Sequence, residues 1–361
     1  MHQKGKLIYG IQQIGVGVDD ASKAFEWYGT RLGADVRVFE DNNVATYMAK
    51  YMGGSPHHKR AILAMNLRGG SGYELWQYLD RTPTSPMQPI QLGDLGITVG
   101  FVKTTDVNKS YERLQHLGES ILSPIVHEPD GEAAFYLLDP WKNILKIKTS
   151  NSWFGHSGPE LGGLSGCQIG VSDIPKALRL YADVLGYNQV IYDKQDQFED
   201  LRYLPGGEGT FRRILLGHKP DRNGGFSKLL GTSQLELIQR LDAPAGKKIF
   251  AGRYWGDIGF IHLCFDIRHM QVLVQECAAQ GFPFQVLSGE SFNMGDANGH
   301  WGYLEDQDGT LIEFVETHKV PLIKKLGLNI KLKNRDPHKP LPNWLIKAMA
   351  FKRVKFSSNG K

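Results

Sequence analysis

Cysteine is scarce in this 361-residue sequence. Cys167, Cys264 and Cys277 are too far apart for a zinc ribbon or a CxxC redox pair, and three thiols make no disulfide scaffold. Cys264 reads as a small buried apolar side chain. Long apolar runs are missing too: no stretch of about 18 apolar residues is available to cross a bilayer. The start, Met1-His2-Gln3-Lys4, lacks the apolar core of a secretory signal, so a cytoplasmic protein is expected. Acidic residues are nearly absent from residues 319–361, which hold twelve Lys and Arg against Asp336 alone. That segment carries +11 in a chain of net +4, leaving −7 on residues 1–318. Such a tail either docks on the chain's own body or meets a membrane surface, and docking is expected; nucleic acid is not expected as a partner.

What is present is a composition of 41% apolar and 22% charged residues, enough for two globular domains. The sequence also repeats. Residues 11–33 and 164–186 align at an offset of 153, matching Gly17 with Gly170, Asp20 with Asp173, Ala24 with Ala177, Tyr28 with Tyr181 and Gly33 with Gly186. Each copy predicts a strand, an acidic N-cap and an amphipathic helix stopped by glycine. Both continue through Gly53-Gly54 or Gly206-Gly207 and a basic pair, Lys59-Arg60 or Arg212-Arg213, expected at solvated strand ends. They end in YELWQYLD and LELIQRLD, which put Glu74 and Glu236 in register, with Trp76 beside Glu74 as cup wall or core.

Residues 93–118 match 256–281 at an offset of 163, and each copy runs on to a turn, Asp139 to Asn143 or Asp306 to Thr310, before a last strand. Four strand–helix–strands units result. They divide the chain into a first pair over residues 1–150, a second pair over 160–318 and a basic extension over 319–361, with an amphipathic helix expected over 342–356. In the fourth unit, residues 259–265 and 311–315 read as period-2 strands. His262 and Glu313 then share a face, with Leu263, Phe265, Ile312 and Phe314 packed behind.

The "V-x-D…A…Y…LG" openings and the "D-x-x-x-N/T-x-x-E" closing strand resemble the vicinal oxygen chelate superfamily over residues 8–317. That group includes glyoxalase I, bleomycin-resistance proteins, and extradiol and hydroxyphenylpyruvate dioxygenases. The resemblance implies an α+β fold of four βαβββ modules forming two half-open eight-stranded barrels, with the basic tail appended. It also implies inward ligand positions on the first and last strands of each unit, which here hold Gln13 and Glu74, Val99 (Thr98 if the register slips by one) and Lys146, Gly166 and Glu236, and His262 and Glu313; the second unit keeps neither ligand and the Gly166 position is vacant. Lys146 would repel a dication, which removes the second unit as a metal site. If the outer units pair, Gln13, Glu74, His262 and Glu313 form one site and Lys146 faces Glu236. If neighbouring units pair, Glu236 joins His262 and Glu313 instead. The outer pairing is preferred, because it assembles four ligands and leaves Glu236 beside a neutralising lysine.

Two carboxylates, one imidazole and one amide oxygen suit a divalent Zn, Ni, Co, Mn or Fe ion. A metal-dependent, glyoxalase-like isomerase or lyase is the activity the resemblance implies, one that polarises a carbonyl and moves an alpha proton. Glu313 is the expected base, with Glu74 as ligand or second base. The alternatives are an Fe(II) dioxygenase, which a single histidine disfavours, and a metal-free small-ligand binding protein. The expected partner is a small molecule with a carbonyl or vicinal oxygens, bound by a monomer or homodimer.

Overall fold

The computed structural model describes residues 5–219, 222–290, 292–294, 297–323 and 328–356, so the N-terminal start noted above lies outside the described residues. Unit 1 opens with strand Leu7–Val18, continues through helix Ala21–Leu32 and closes with strand Gly72–Tyr78. Unit 2 runs through Gly96–Thr104, Val107–His116 and Ile144–Thr149 in the same roles. Unit 3 uses Leu161–Gly170, a helix Ile174–Leu178 prolonged by the wider turn Arg179–Val184, and Gln234–Arg240. Unit 4 uses Gly259–Arg268, Met270–Ala279 and Leu311–Ile323.

The helix starts follow the acidic caps. Asp20 accepts the backbone N–H groups of Ser22 and Lys23, and Asp106 and Asp173 accept those of Lys109 and Lys176. Gly33 then ends the first helix at φ 72°, where a side chain would be strained. No helix among the described residues is long and apolar enough to cross a membrane.

Two curled sheets form, and each takes one unit from either half of the chain. In the outer sheet Leu7–Val18 lies antiparallel to Gly259–Arg268, with each opening strand flanked in parallel by its own closing strand. In the inner sheet Leu161–Gly170 pairs in the same way with Gly96–Thr104. The outer units therefore pair with each other, and neither half of the chain closes a barrel alone. Each sheet has a continuous path of eight strands. Short side strands raise the totals to ten and nine among the described residues, because Phe292–Met294, Leu328–Lys331 and Val126–His127 pair off the path.

Two tyrosines tie the sheets together. Tyr28 donates its hydroxyl to Asp139 at 2.6 Å, and Tyr181 donates to Asp306 at 2.8 Å. Those carboxylates also accept the backbone N–H groups of Asn143 and Thr310, both at 2.8 Å, so the turn that launches each even closing strand clamps the preceding odd unit's helix. Apolar side chains from both sheets, Ile14, Leu75, Leu164, Leu237, Phe265 and Phe314 among them, meet in one core.

The basic extension is more structured and less helical than expected. Only Asn343–Lys347 is α-helical, followed by a 3₁₀ turn over Ala348–Lys352. Helix gives way there because the chain finds the edge of strand Val36–Val44: Val354 N–H donates to Asp35 at 2.9 Å, Lys352 donates to Val38, and Arg353 pairs with Asp35. Ile346 and Met349 are buried against Val36, Val38, Leu63, Met65 and Phe226, closing the rear of the outer sheet. Trp344 and Phe351 face outward at 70% and 76% exposure.

Candidate metal centre

The outer seam places a histidine between two carboxylates. On strand Gly259–Arg268, His262 sits opposite Gly15, and a Cβ at Gly15 would lie 2.3 Å from the His262 ring, so glycine makes room for the imidazole. Glu313 stands beside Cys264 in the parallel register, which turns its carboxylate to the same face as His262. Glu74 arrives from the other side of the seam, next to Gly15. His262 Nε2 is then 3.2 Å from Glu74 Oε2 and 3.1 Å from Glu313 Oε2, and Gln13 Nε2 donates to Glu74 Oε2 at 3.2 Å. The ligand atoms of Glu74, His262 and Glu313 lie within 4.8 Å of one another.

Burial alone would pull the imidazole pKa down. Glu313 and then Glu74 outweigh it and raise the value from 6.5 to about 9. A raised histidine pKa contributes stability that is complete below the unfolded value and lost as pH rises through about 9. In chelator-treated protein the His262 ring protons should therefore titrate near pH 9 by NMR. A value at or below 6.5 would show that the carboxylates do not outweigh burial.

The donor set fits a divalent cation. Two carboxylates match a +2 charge, and atoms held about 2.1 Å from one ion at right angles sit about 3 Å apart, close to the separations found here. Three of the buried atoms, Gln13 Oε1, His262 Nε2 and Glu313 Oε2, have no well-directed hydrogen-bond partner, although His262 Nε2 and Glu313 Oε2 are 3.1 Å apart. Tyr303 lies 3.4 Å from His262 Nδ1, and Trp255 stacks on the ring at 6.1 Å and 16°. A cavity of about 70 Å³ opens onto Glu74 and Glu313 between Trp76, Trp255, Trp301 and Tyr303. A second, of about 60 Å³, reaches Gln13, Glu74 and Glu313 from the rear and is capped by Met349. Gly15→Ala should push His262 aside and weaken metal binding by roughly tenfold or more, measured by competition with a chromogenic chelator.

The sequence family described as Glyoxalase/Bleomycin resistance protein/Dioxygenase superfamily matches twice, over residues 10–147 and 167–301. The chain belongs to that superfamily. No curated protein sequence matches it. Among solved structures, glyoxalase I from Zea mays is 12% identical with a TM-score of 0.52, covering 86% of this chain and 92% of the maize chain. A point mutant of the maize protein, also 12% identical, gives a TM-score of 0.54 and covers 86% of this chain and 94% of its own. A putative dioxygenase from Bacillus subtilis is 16% identical with a TM-score of 0.53, covering 86% of each chain. At these identities the likeness is one of fold.

The superfamily architecture supplies a second cup, on the inner sheet, and its residues are different. Glu236 lies there, away from His262, so it cannot join the outer set as the neighbouring-unit arrangement would require. Lys146 approaches it at 3.2 Å, Arg213 at 2.6 Å and the Tyr192 hydroxyl at 2.7 Å. Lys146 and Lys148 also pair with Glu128, and Arg213 with Asp200 at 2.8 Å. Burial pushes the Glu236 carboxyl up, but Arg213 and Lys146 outweigh it and hold it far below the usual range. Three cations thus balance three carboxylates in a closed interior.

Arg213 was expected at a solvated strand end and is instead fully buried; Arg212 is the half-buried member, paired with Asp193 at 2.7 Å. Lys59 pairs with Asp41 at the edge of the front cavity, and Arg60 with Glu40 at 2.7 Å. Gly166 is not simply a vacant ligand position. Gln168, two residues on and therefore on the same strand face, donates to Glu236 at 3.2 Å and accepts from Thr98 at 2.9 Å. Period 2 could have found it. Tyr303 and Trp255 carried no such signal, since nothing in their local sequence ties them to His262.

Proposed function

We propose that the outer cup holds one divalent metal ion and that the protein is a glyoxalase-like isomerase or lyase acting on a small carbonyl compound. The observation that carries this reading is the convergence of His262 Nε2 on both carboxylates, at 3.2 and 3.1 Å, with the hydrogen-bonding capacity of Gln13 Oε1, His262 Nε2 and Glu313 Oε2 unfilled. Gln13, Glu74, His262 and Glu313 are the proposed ligands. A divalent ion bound there would polarise a substrate carbonyl and acidify the neighbouring C–H.

Glu313 takes that proton and returns it to the adjacent carbon, while Gln13 holds Glu74 in place through its 3.2 Å hydrogen bond. Tyr303 and Trp255 orient the His262 ring, and the surrounding tryptophans keep bulk water from the carboxylates. The named structural likenesses point to different chemistries, and the donor set favours the isomerase or lyase reading. One histidine falls short of the two-His, one-carboxylate arrangement of oxygen-activating iron sites.

The test is solvent exchange. Metal-loaded protein in D₂O should catalyse C–H exchange in at least one of hydroxyacetone, 2-hydroxyacetophenone and the hemithioacetal of methylglyoxal with 2-mercaptoethanol, and chelator should abolish it. Oxygen uptake with catechol and no exchange would overturn the reading.

A further inference from the structure

The front cavity poses a problem of size. At about 70 Å³ it is smaller than the roughly 150 Å³ cavity known to admit benzene, so it takes a reacting carbonyl and little more. The body of a substrate must lie elsewhere. A cleft of about 450 Å³ adjoins it, within the range of small-molecule sites, and Trp255 forms part of the wall of both.

Trp255 is 7% exposed, and its indole N–H is buried without an acceptor. An oxygen of a bound molecule is the partner it lacks. Phe250, Tyr254 and Phe260 add aromatic walls suited to a flat apolar body. The charged lining of the cleft is mixed, with Lys50, Lys248 and Arg253 beside Glu305 and Asp308. Lys248 is exposed, lies close to Gly309 and makes no ion pair among the described residues. Lys50 is the second ammonium at the cleft, held by Gln285 at 2.7 Å. Arg253 is committed elsewhere: its guanidinium donates to the backbone carbonyls of Ile249 and Ile258, both at 2.7 Å. Both carboxylates have partners: Glu305 Oε1 accepts from the Tyr51 hydroxyl, and Asp308 accepts from the backbone N–H and the hydroxyl of Ser172. The cleft therefore offers a flat aromatic slot with one small cationic corner.

We infer that this cleft binds the body of the substrate, a planar aromatic molecule that carries its reacting carbonyl at one end and a single anionic group at the other. The carbonyl reaches the metal-binding carboxylates past Trp255, and the anion meets Lys248. This inference rests on the reading of the outer cup as the active site.

Three probes separate the parts. 4-Acetylbenzoate has ketone, ring and a distal carboxylate; acetophenone lacks the charge; levulinate lacks the ring. Titrated calorimetrically into the metal-loaded full chain, 4-acetylbenzoate should bind about tenfold or more tighter than either comparison compound. Lys248→Glu should erase its advantage over acetophenone, and Phe250→Ala its advantage over levulinate, with metal content unchanged in both variants. Equal binding of all three probes, or no response to Lys248→Glu, would overturn the inference. Failure to load metal would sink the active-site reading instead, and the ring- and charge-dependence of binding would still be measured on the metal-free chain.

Discussion

Glutamine at position 313 should slow alpha-proton exchange by roughly 10²–10⁴-fold, the usual contribution of a positioned general base. The amide keeps an oxygen donor in the same place, so the variant should still bind metal. That separation distinguishes a base from a ligand: if Glu313 served only to hold the ion, exchange and metal content would fall together. Glu74→Gln supplies the control. Glu74 is held by the amide of Gln13 as well as facing His262, an arrangement suited to a fixed ligand. Its substitution should weaken metal binding more than it slows exchange in the metal-saturated protein. The opposite pattern would move the base from Glu313 to Glu74.

Lys146→Met should cost about 3–5 kcal/mol of folding stability, measured by urea denaturation, and leave metal binding in the outer cup untouched. The side chain is fully buried, and removing it leaves Glu128 and Glu236 with only Lys148 and Arg213 as buried cationic partners. A buried charge that loses its partner keeps its desolvation penalty and forfeits the compensation. The pH dependence has a sign as well. For Glu128 burial raises the carboxyl pKa, but Lys146 and then Lys148 outweigh it, as Arg213 and Lys146 do for Glu236. Depressed carboxyl values give stability above about pH 4.5 that is lost as pH falls, and the methionine variant should show a shallower loss. A change below about 1 kcal/mol would mean that water already reaches the cluster.

The two cups show what the sequence could and could not convey. Strand faces were legible, because a period of two puts His262 with Cys264 and sets Leu263 and Phe265 behind them, and the core holds those two residues as expected. The acidic caps were legible for a similar reason: Asp20, Asp106 and Asp173 act within a few residues of themselves. Long-range pairing was legible only through the complementarity of the ligand sets, which favoured the outer pairing that the sheets show, since the local pattern of each unit is compatible with either partner. The pairing is expressed in contacts such as Gly15 against His262, far apart along the chain, where a missing side chain is the complement of a large one. Arg213 was misjudged because a basic pair at a strand start is ordinarily solvated. Its burial depends on Asp200 and Glu236, which only the folded inner sheet brings to it. The tail shows the same limit: its amphipathic pattern was visible, but the edge strand that ends its helix at Asp35 and Val38 was not.

Metal analysis tests the account most directly. Protein purified without chelator, and protein stripped and titrated with Zn, Ni, Co, Mn or Fe(II), should carry about one divalent ion per chain, and His262→Ala should lose it while remaining folded. A native chain that takes up no ion, or a His262→Ala variant that binds as well as the parent, would contradict it.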